Sequence, residues 1–149
     1  MSEHHTSLEW KRESEDFTYE SYNRHHEWIF NGGVRVPGSA APDYRGDPAK
    51  VNPEEAFVAA LSSCHMLTFL DIATKKRLIV DQYRDQAVGY LEKNEKGKLA
   101  MTRVTLRPRV TFGGASPPSA SKIQELHDVA HRECFIANSV TTKVTVDWE

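Results

Sequence analysis

The sequence predicts an α+β fold built on a mostly antiparallel sheet, and three observations carry that prediction. Patterns along the chain run strands, helix, strands, helix, strand, joined by hairpin-type turns rather than a regular βαβ alternation. One segment, opening at Asn52-Pro53-Glu54-Glu55, stays apolar on every side through Ala56-Phe57-Val58-Ala59-Ala60-Leu61, the pattern of a helix buried all round. The chain of 149 residues is of single-domain size and needs no metal or disulfide staple, yet it is too small to cover such a helix comfortably alone. The expected architecture is a strongly curved sheet around a long central helix, completed as an intertwined homodimer.

Residues 1–16 are densely charged, with Leu8 and Trp10 as the main apolar side chains, and are expected to form a mobile polar arm ahead of one domain over 17–149. From Phe17 to Phe30 the pattern alternates, so that Tyr22, Arg24, His26, Trp28 and Phe30 share one strand face. Asn31-Gly32-Gly33 reads as a turn into a short strand at Val34–Val36, and the proline-rich stretch 37–51 as loop. Asn52 is an N-cap, Pro53 fits the first helical position, and a Glu three residues beyond the cap closes a capping box. The helix should run to about Lys76, where Lys75, Lys76 and Arg77 suit the negative end of its dipole.

Two strands follow, about 80–92 and 99–112, joined at Asn94-Glu95-Lys96-Gly97. In the second, Val104, Leu106, Val110 and Phe112 share one face and Arg103, Arg107 and Arg109 the other, while Pro108 removes a ladder donor and signals an edge or a gap. After a Gly/Pro/Ser loop, a second helix spans about Ser121 to Cys134 with Ile123, Leu126, Ala130 and Cys134 on one stripe. A last strand covers Thr141–Trp148.

Composition narrows the function. Hydrophobic residues make up 39% and charged residues 27%, and 19 Lys+Arg against 21 Asp+Glu give a formal charge of -2; this argues against a dedicated nucleic-acid or membrane-surface binder. The longest apolar run is far short of the roughly 18–20 residues that span a bilayer. The polar, acidic start resembles neither a signal nor a transit peptide, and two cysteines are no secreted disulfide scaffold, so the cytoplasm is the expected compartment.

Cys64 lies inside the apolar helix, in Ser62-Ser63-Cys64-His65-Met66, and Cys134 ends the second helix, in His131-Arg132-Glu133-Cys134-Phe135. By residue type alone both could be small buried hydrophobes. NPEEAFVAALSSCHM followed by ECFIANSV, however, resembles the osmotically inducible protein C/organic hydroperoxide resistance (OsmC/Ohr) family, and the likeness extends from about Tyr22 to Trp148. The resemblance implies a thiol-dependent reduction of organic hydroperoxides in an intertwined homodimer with two interface sites, no bound cofactor, and an external dithiol as reductant. It places the peroxidatic cysteine on Cys64, the resolving cysteine on Cys134 and the active-site glutamate on Glu54. The arginine falls on Arg45, just before the Asn-Pro-Glu, with Arg24 as runner-up and Arg35 also compatible.

The chemistry suits these residue types. A thiolate attacks the peroxide oxygen and becomes a sulfenic acid. A cysteine in an apolar helix needs a nearby cation to ionise, and a guanidinium held by a carboxylate supplies one. The second cysteine then forms a disulfide that an external dithiol reopens. Geometry adds a constraint: ten residues of straight helix rise about 15 Å, so Glu54 cannot touch Cys64 of its own helix. Either the helix breaks or a partner subunit supplies the glutamate.

Two rivals come from other classes. His127, His131 and Cys134 fall at i, i+4 and i+7 and, with Cys64 of the Cys64-His65 pair completing the set, provide four donors of the kinds zinc prefers; His on the flank of a buried helix face more commonly serves hydrogen bonding. Arg103, Arg107 and Arg109 could meet an anionic partner such as a nucleic acid, although such a row is more simply the solvated face of a half-buried strand paired with Glu92, Asp85 or Asp81.

Overall fold

The computed structural model describes residues 1–149, which divide into two compact units, Met1–Ala56 and Phe57–Glu149. In the first unit three antiparallel strands lie in the order β1 (Thr6–Glu9), β2 (His26–Phe30), β3 (Arg35–Gly38). The β2–β3 turn needs the left-handed backbone of Gly33, at φ 81°, as the Asn-Gly-Gly pattern predicts.

β1 falls within the segment expected to be a mobile arm. Asn23 holds the chain beyond it: its amide donates to the Lys11 carbonyl (2.9 Å), its Oδ1 accepts from the Glu13 N–H (3.0 Å), and its carbonyl accepts from the Trp10 indole (2.7 Å). Trp10, Phe17 and Tyr22 stack in series. Residues 17–25 therefore turn and bend instead of extending β2. The Pro-rich segment carries one short 3₁₀ turn, Pro42–Tyr44.

Helix α1 (Pro53–Lys75) starts as its capping residues dictate. The Glu55 N–H donates to Asn52 Oδ1 (2.8 Å), and Glu55 Oε2 accepts from the Asn52 N–H (3.2 Å). At its other end Leu78 N–H bonds the Ala73 carbonyl and Arg77 N–H the Thr74 carbonyl. This is a Schellman closure, with Arg77 held at φ 56° where glycine is usual. α1 is long and apolar enough to cross a membrane, with a mean hydropathy of 1.6 over its best window; interspersed Ser, Cys, His and Thr kept it from reading as one apolar run.

In the second unit the two predicted strands are four. The first divides into β4 (Ile79–Asp85) and β5 (Val88–Lys93), the second into β6 (Leu99–Leu106) and β7 (Pro108–Gly113). β4 pairs with β7, and β5 with β6. At the break Arg107 N–H leaves the ladder and donates to Asp85 Oδ1 (2.6 Å), so Pro108 falls at a strand start, where its missing donor costs least.

α2 (Ala120–Glu133) is capped by Ser119, whose side chain accepts from the Lys122 N–H. It returns the chain to β8 (Lys143–Val146), which pairs parallel to β6. The sheets are therefore antiparallel except at this crossover.

The core of this unit has two parts. Leu61, Val104 and Leu106 are buried with Phe57, Val58, Val144 and Val146 around them. Phe69, Leu126 and Ala130 form the other part with Val80, Val110 and Phe112. α1 contributes to both through the stripe Leu61, His65, Phe69 and Ala73, spaced four residues apart. Gly89 lets β5 approach this helix: a Cβ there would collide with Val58 and Met101. The opposite face is open, with Ala59, Ala60, Ser63 and Leu67 exposed. One chain covers one stripe of α1, not the whole circumference its composition suggested.

Candidate active site

α1 and α2 bring the two cysteines together across 70 positions of sequence. The side chains of Cys64 and Cys134 are near enough to influence each other's ionisation, and both are free thiols. Cys134 caps the C-terminal end of α2, is 1% exposed, and accepts from the Ala137 N–H at 3.5 Å. Burial first, and then the neighbouring Cys64, push its thiol up to about 11. It is protonated at neutral pH and becomes a nucleophile only when an electrophilic sulfur is beside it. Cys64 is partly exposed, inside the helix, so an incoming molecule meets it first.

The sequence offers the histidines around these cysteines as metal ligands or as polar groups flanking a buried helix face, not as partners of one another. His65, the residue after Cys64, reaches across to α2 and its Nε2 lies 3.1 Å from His127 Nδ1. The rings stack 8° from parallel, and each residue is 1% exposed. Phe69 and Trp148 lie against the His127 ring, at 4.5 and 6.0 Å between centroids.

Burial drives both rings down from the ordinary 6.5 to about 4, because a charge there would lose its hydration. The outer nitrogens, His65 Nδ1 and His127 Nε2, have no partner, nor has His131 Nδ1; each such group costs about 1–3 kcal/mol. The available signal was position: one His beside Cys64, the other seven residues before Cys134. No group of three or more His, Cys, Asp or Glu is arranged to hold a metal ion.

The remaining expected residues belong to the first unit. Glu55 closes the capping box, which leaves Glu54 free, and Glu54 Oε2 is buried without a partner. The expected Arg45–Glu54 pair is not formed. Arg45 has a left-handed backbone after the 3₁₀ turn, is exposed, and donates to the Glu20 carbonyl at 3.3 Å. Arg35 is taken up by cross-strand pairs with Glu27 and, at 2.9 Å, Glu9.

Arg24 is half-buried, its guanidinium 3.7 Å above the Tyr22 ring and donating to the carbonyls of Tyr22 (2.6 Å) and Tyr19 (2.7 Å). Its Nε is buried and unpartnered. It lines a cavity of about 460 Å³ with Trp10, Phe17, Tyr22, His26 and Pro53. On the strands of the second unit, Arg103 pairs with Glu92 at 2.8 Å, the solvated arrangement expected of that face.

Fold and site together define an α+β protein with two neighbouring, unbonded thiols presented by two helices. Residues 46–149 match the model of the OsmC-like protein family, and the chain belongs to that family. A solved OsmC-like protein of unknown function from Vibrio cholerae is 51% identical, with a TM-score of 0.96 over 100% of both chains. At low identity the fold alone is shared with two organic hydroperoxide resistance proteins. One, from Elizabethkingia anophelis, is 16% identical with a TM-score of 0.73 over 100% of this chain and 98% of the other. The second, from Bacillus subtilis, is 18% identical with a TM-score of 0.71 over 99% and 98%. No curated protein matches the chain.

Proposed function

We propose that this protein is a thiol-dependent peroxidase that reduces organic hydroperoxides to alcohols, acting as a homodimer in the cytoplasm. The observation that carries the reading is the proximity of two free cysteines on separate helices, one partly open and one buried. The Cys64 thiolate attacks the terminal peroxide oxygen; the O–O bond breaks, Cys64 becomes a sulfenic acid, and the alkoxide takes a proton and leaves as the alcohol. Cys134 sulfur then attacks the Cys64 sulfur. The S–O bond breaks, and the hydroxide leaves as water with the Cys134 proton. An external dithiol reopens the disulfide by exchange.

α1 runs unbroken from Pro53 to Lys75, so of the two ways for Glu54 to act in this chemistry the partner subunit remains. Leu67 and Phe135, 60% and 81% exposed, are apolar surface beside the cysteines that a second copy would cover. For the cation, Arg24, half-buried with a buried donor left over, is proposed ahead of the expected Arg45, whose pair with Glu54 is not formed. Hydrogen peroxide is expected to be the poorer substrate.

The test is hydroperoxide consumption with a dithiol reductant, using cumene, t-butyl and hydrogen peroxides. Cys64→Ser should abolish it. Cys134→Ser should allow one turnover and then stall as the sulfenic acid over-oxidises. Full turnover by Cys64→Ser would refute the assignment.

A further inference from the structure

We propose that the His65–His127 pair is a positioning element for the disulfide-forming step, a clamp that fixes the turn of α1 carrying Cys64 at one point along α2. The inference rests on reading Cys64 and Cys134 as the reacting pair.

The argument is geometric. Cys64 and His65 are adjacent on α1, one residue of rise apart, while their neighbours on α2 are seven residues apart, about 10 Å along the helix. From one turn of α1, Cys64 reaches the neighbourhood of Cys134, while His65 bonds His127 two turns earlier on α2. Leu61 and Phe69, on the turns to either side, seat α1 by non-directional packing. The imidazole bond adds a directional tie at the turn that carries Cys64 itself.

The pair is also an unusual choice for packing alone. Both side chains are almost wholly buried, yet two of their four ring nitrogens are left without partners. Two leucines would fill such a position without that penalty. What the imidazoles add is a directional bond between the helices, held flat by Phe69 and Trp148.

The clamp acts on a balanced step. The Cys134 sulfur supplies the electron pair of the new S–S bond, the S–O bond of the Cys64 sulfenic acid breaks, and the thiol proton leaves with the hydroxide as water. The oxidant is the hydroperoxide of the proposed reaction.

The test needs no hydroperoxide. The intact protein is equilibrated with reduced and oxidised glutathione, and the fraction carrying the Cys64–Cys134 disulfide gives the effective concentration of one thiol at the other. The thermal midpoint is recorded alongside. Loss of the clamp in His65→Leu or His127→Leu should lower that effective concentration roughly tenfold, within the range by which small misplacements slow oriented reactions. The double variant should fall no further than either single one, because both remove the same bond. His65→Gln, whose amide can donate or accept at about the same reach, should stay within about threefold of the wild type.

Should a leucine variant not fold, His65→Gln against His65→Asn, which is too short to reach, gives the same comparison. An effective concentration unchanged in folded His65→Leu, or one that drops equally in His65→Gln, would overturn the clamp. A wild type that forms the disulfide but consumes no hydroperoxide would refute the peroxidase reading and leave this measurement standing.

Discussion

Mild acid gives a direct measure of the buried histidine pair. Both rings are held at about 4 in the folded chain against 6.5 in an unfolded one. Between those limits the unfolded state binds protons that the folded state refuses, so stability falls as pH falls from about 6.5 to 4 and levels off below. At about pH 5 an unfolded imidazole is nearly all protonated and the buried one nearly all neutral, which costs about 2 kcal/mol per ring relative to neutral pH.

The two rings face one another, with His131 adding repulsion to His65, and Asp85 and Asp128 acting weakly the other way. They titrate as a coupled pair, and the two together should contribute about 3–4 kcal/mol. The assay is urea denaturation at about pH 7, 6 and 5, for the wild type and for the His65→Leu/His127→Leu double variant. Subtracting the two pH profiles removes the contribution of every other titrating group. If the wild type loses no more stability than the double variant over this interval, the rings accept protons in the folded state and the burial argument fails.

Other outcomes can be stated more briefly. Arg77→Gly should stabilise the protein by about 0.5–1 kcal/mol, since glycine carries no Cβ into the left-handed C-terminal position of α1; a shift of the urea midpoint upward checks it. Leu61→Ala removes a fully buried side chain from the first core cluster and should cost about 2–5 kcal/mol in the same measurement. Asn23→Ala deletes two hydrogen bonds to the arm, each worth about 1 kcal/mol, so trypsin cleavage after Lys11 and Arg12 should accelerate roughly thirtyfold. Replacing the arginine that activates Cys64 with alanine should raise the pH at which iodoacetamide alkylates that thiol. Arg24→Ala is expected to move the profile and Arg45→Ala to leave it in place.

Local features were legible where local chemistry decides them. Asn52-Pro53-Glu54-Glu55 marks the start of α1 because each residue suits its capping position, and the basic cluster marks its end within one residue. The strand breaks were hidden for a physical reason. Val104, Leu106, Pro108, Val110 and Phe112 alternate without interruption, so the period of two runs straight through Arg107 while the inward side chains pass from one core cluster to the other. The parallel direction of β8 is set by the crossover through α2, not by the composition of Thr141–Trp148. β1 was masked because its neighbours are charged, and what fixes the chain beyond it is Asn23, distant in sequence.

At the site, the pairing of Cys64 with Cys134 came from the motifs. The histidine pair did not, because one imidazole directly after Cys64 and another seven residues before Cys134 read as flanking polar groups or metal ligands. The free carboxylate of Glu54 follows from an arithmetic the sequence does contain: two adjacent glutamates and one cap, which Glu55 alone can close.

The bond between His65 Nε2 and His127 Nδ1 leaves one proton for two facing nitrogens. If His65 donates, its Nδ1 is bare and His127 Nε2 carries a hydrogen; if His127 donates, the outer atoms exchange these roles. The pair is therefore a two-state dipole inside the protein, reversed by shifting protons without adding charge. Nitrogen-15 shifts of the two rings should change together, both rings Nε2–H or both Nδ1–H at any moment, and a mutation that supplies a hydrogen-bond donor or acceptor at either outer nitrogen would lock both rings at once.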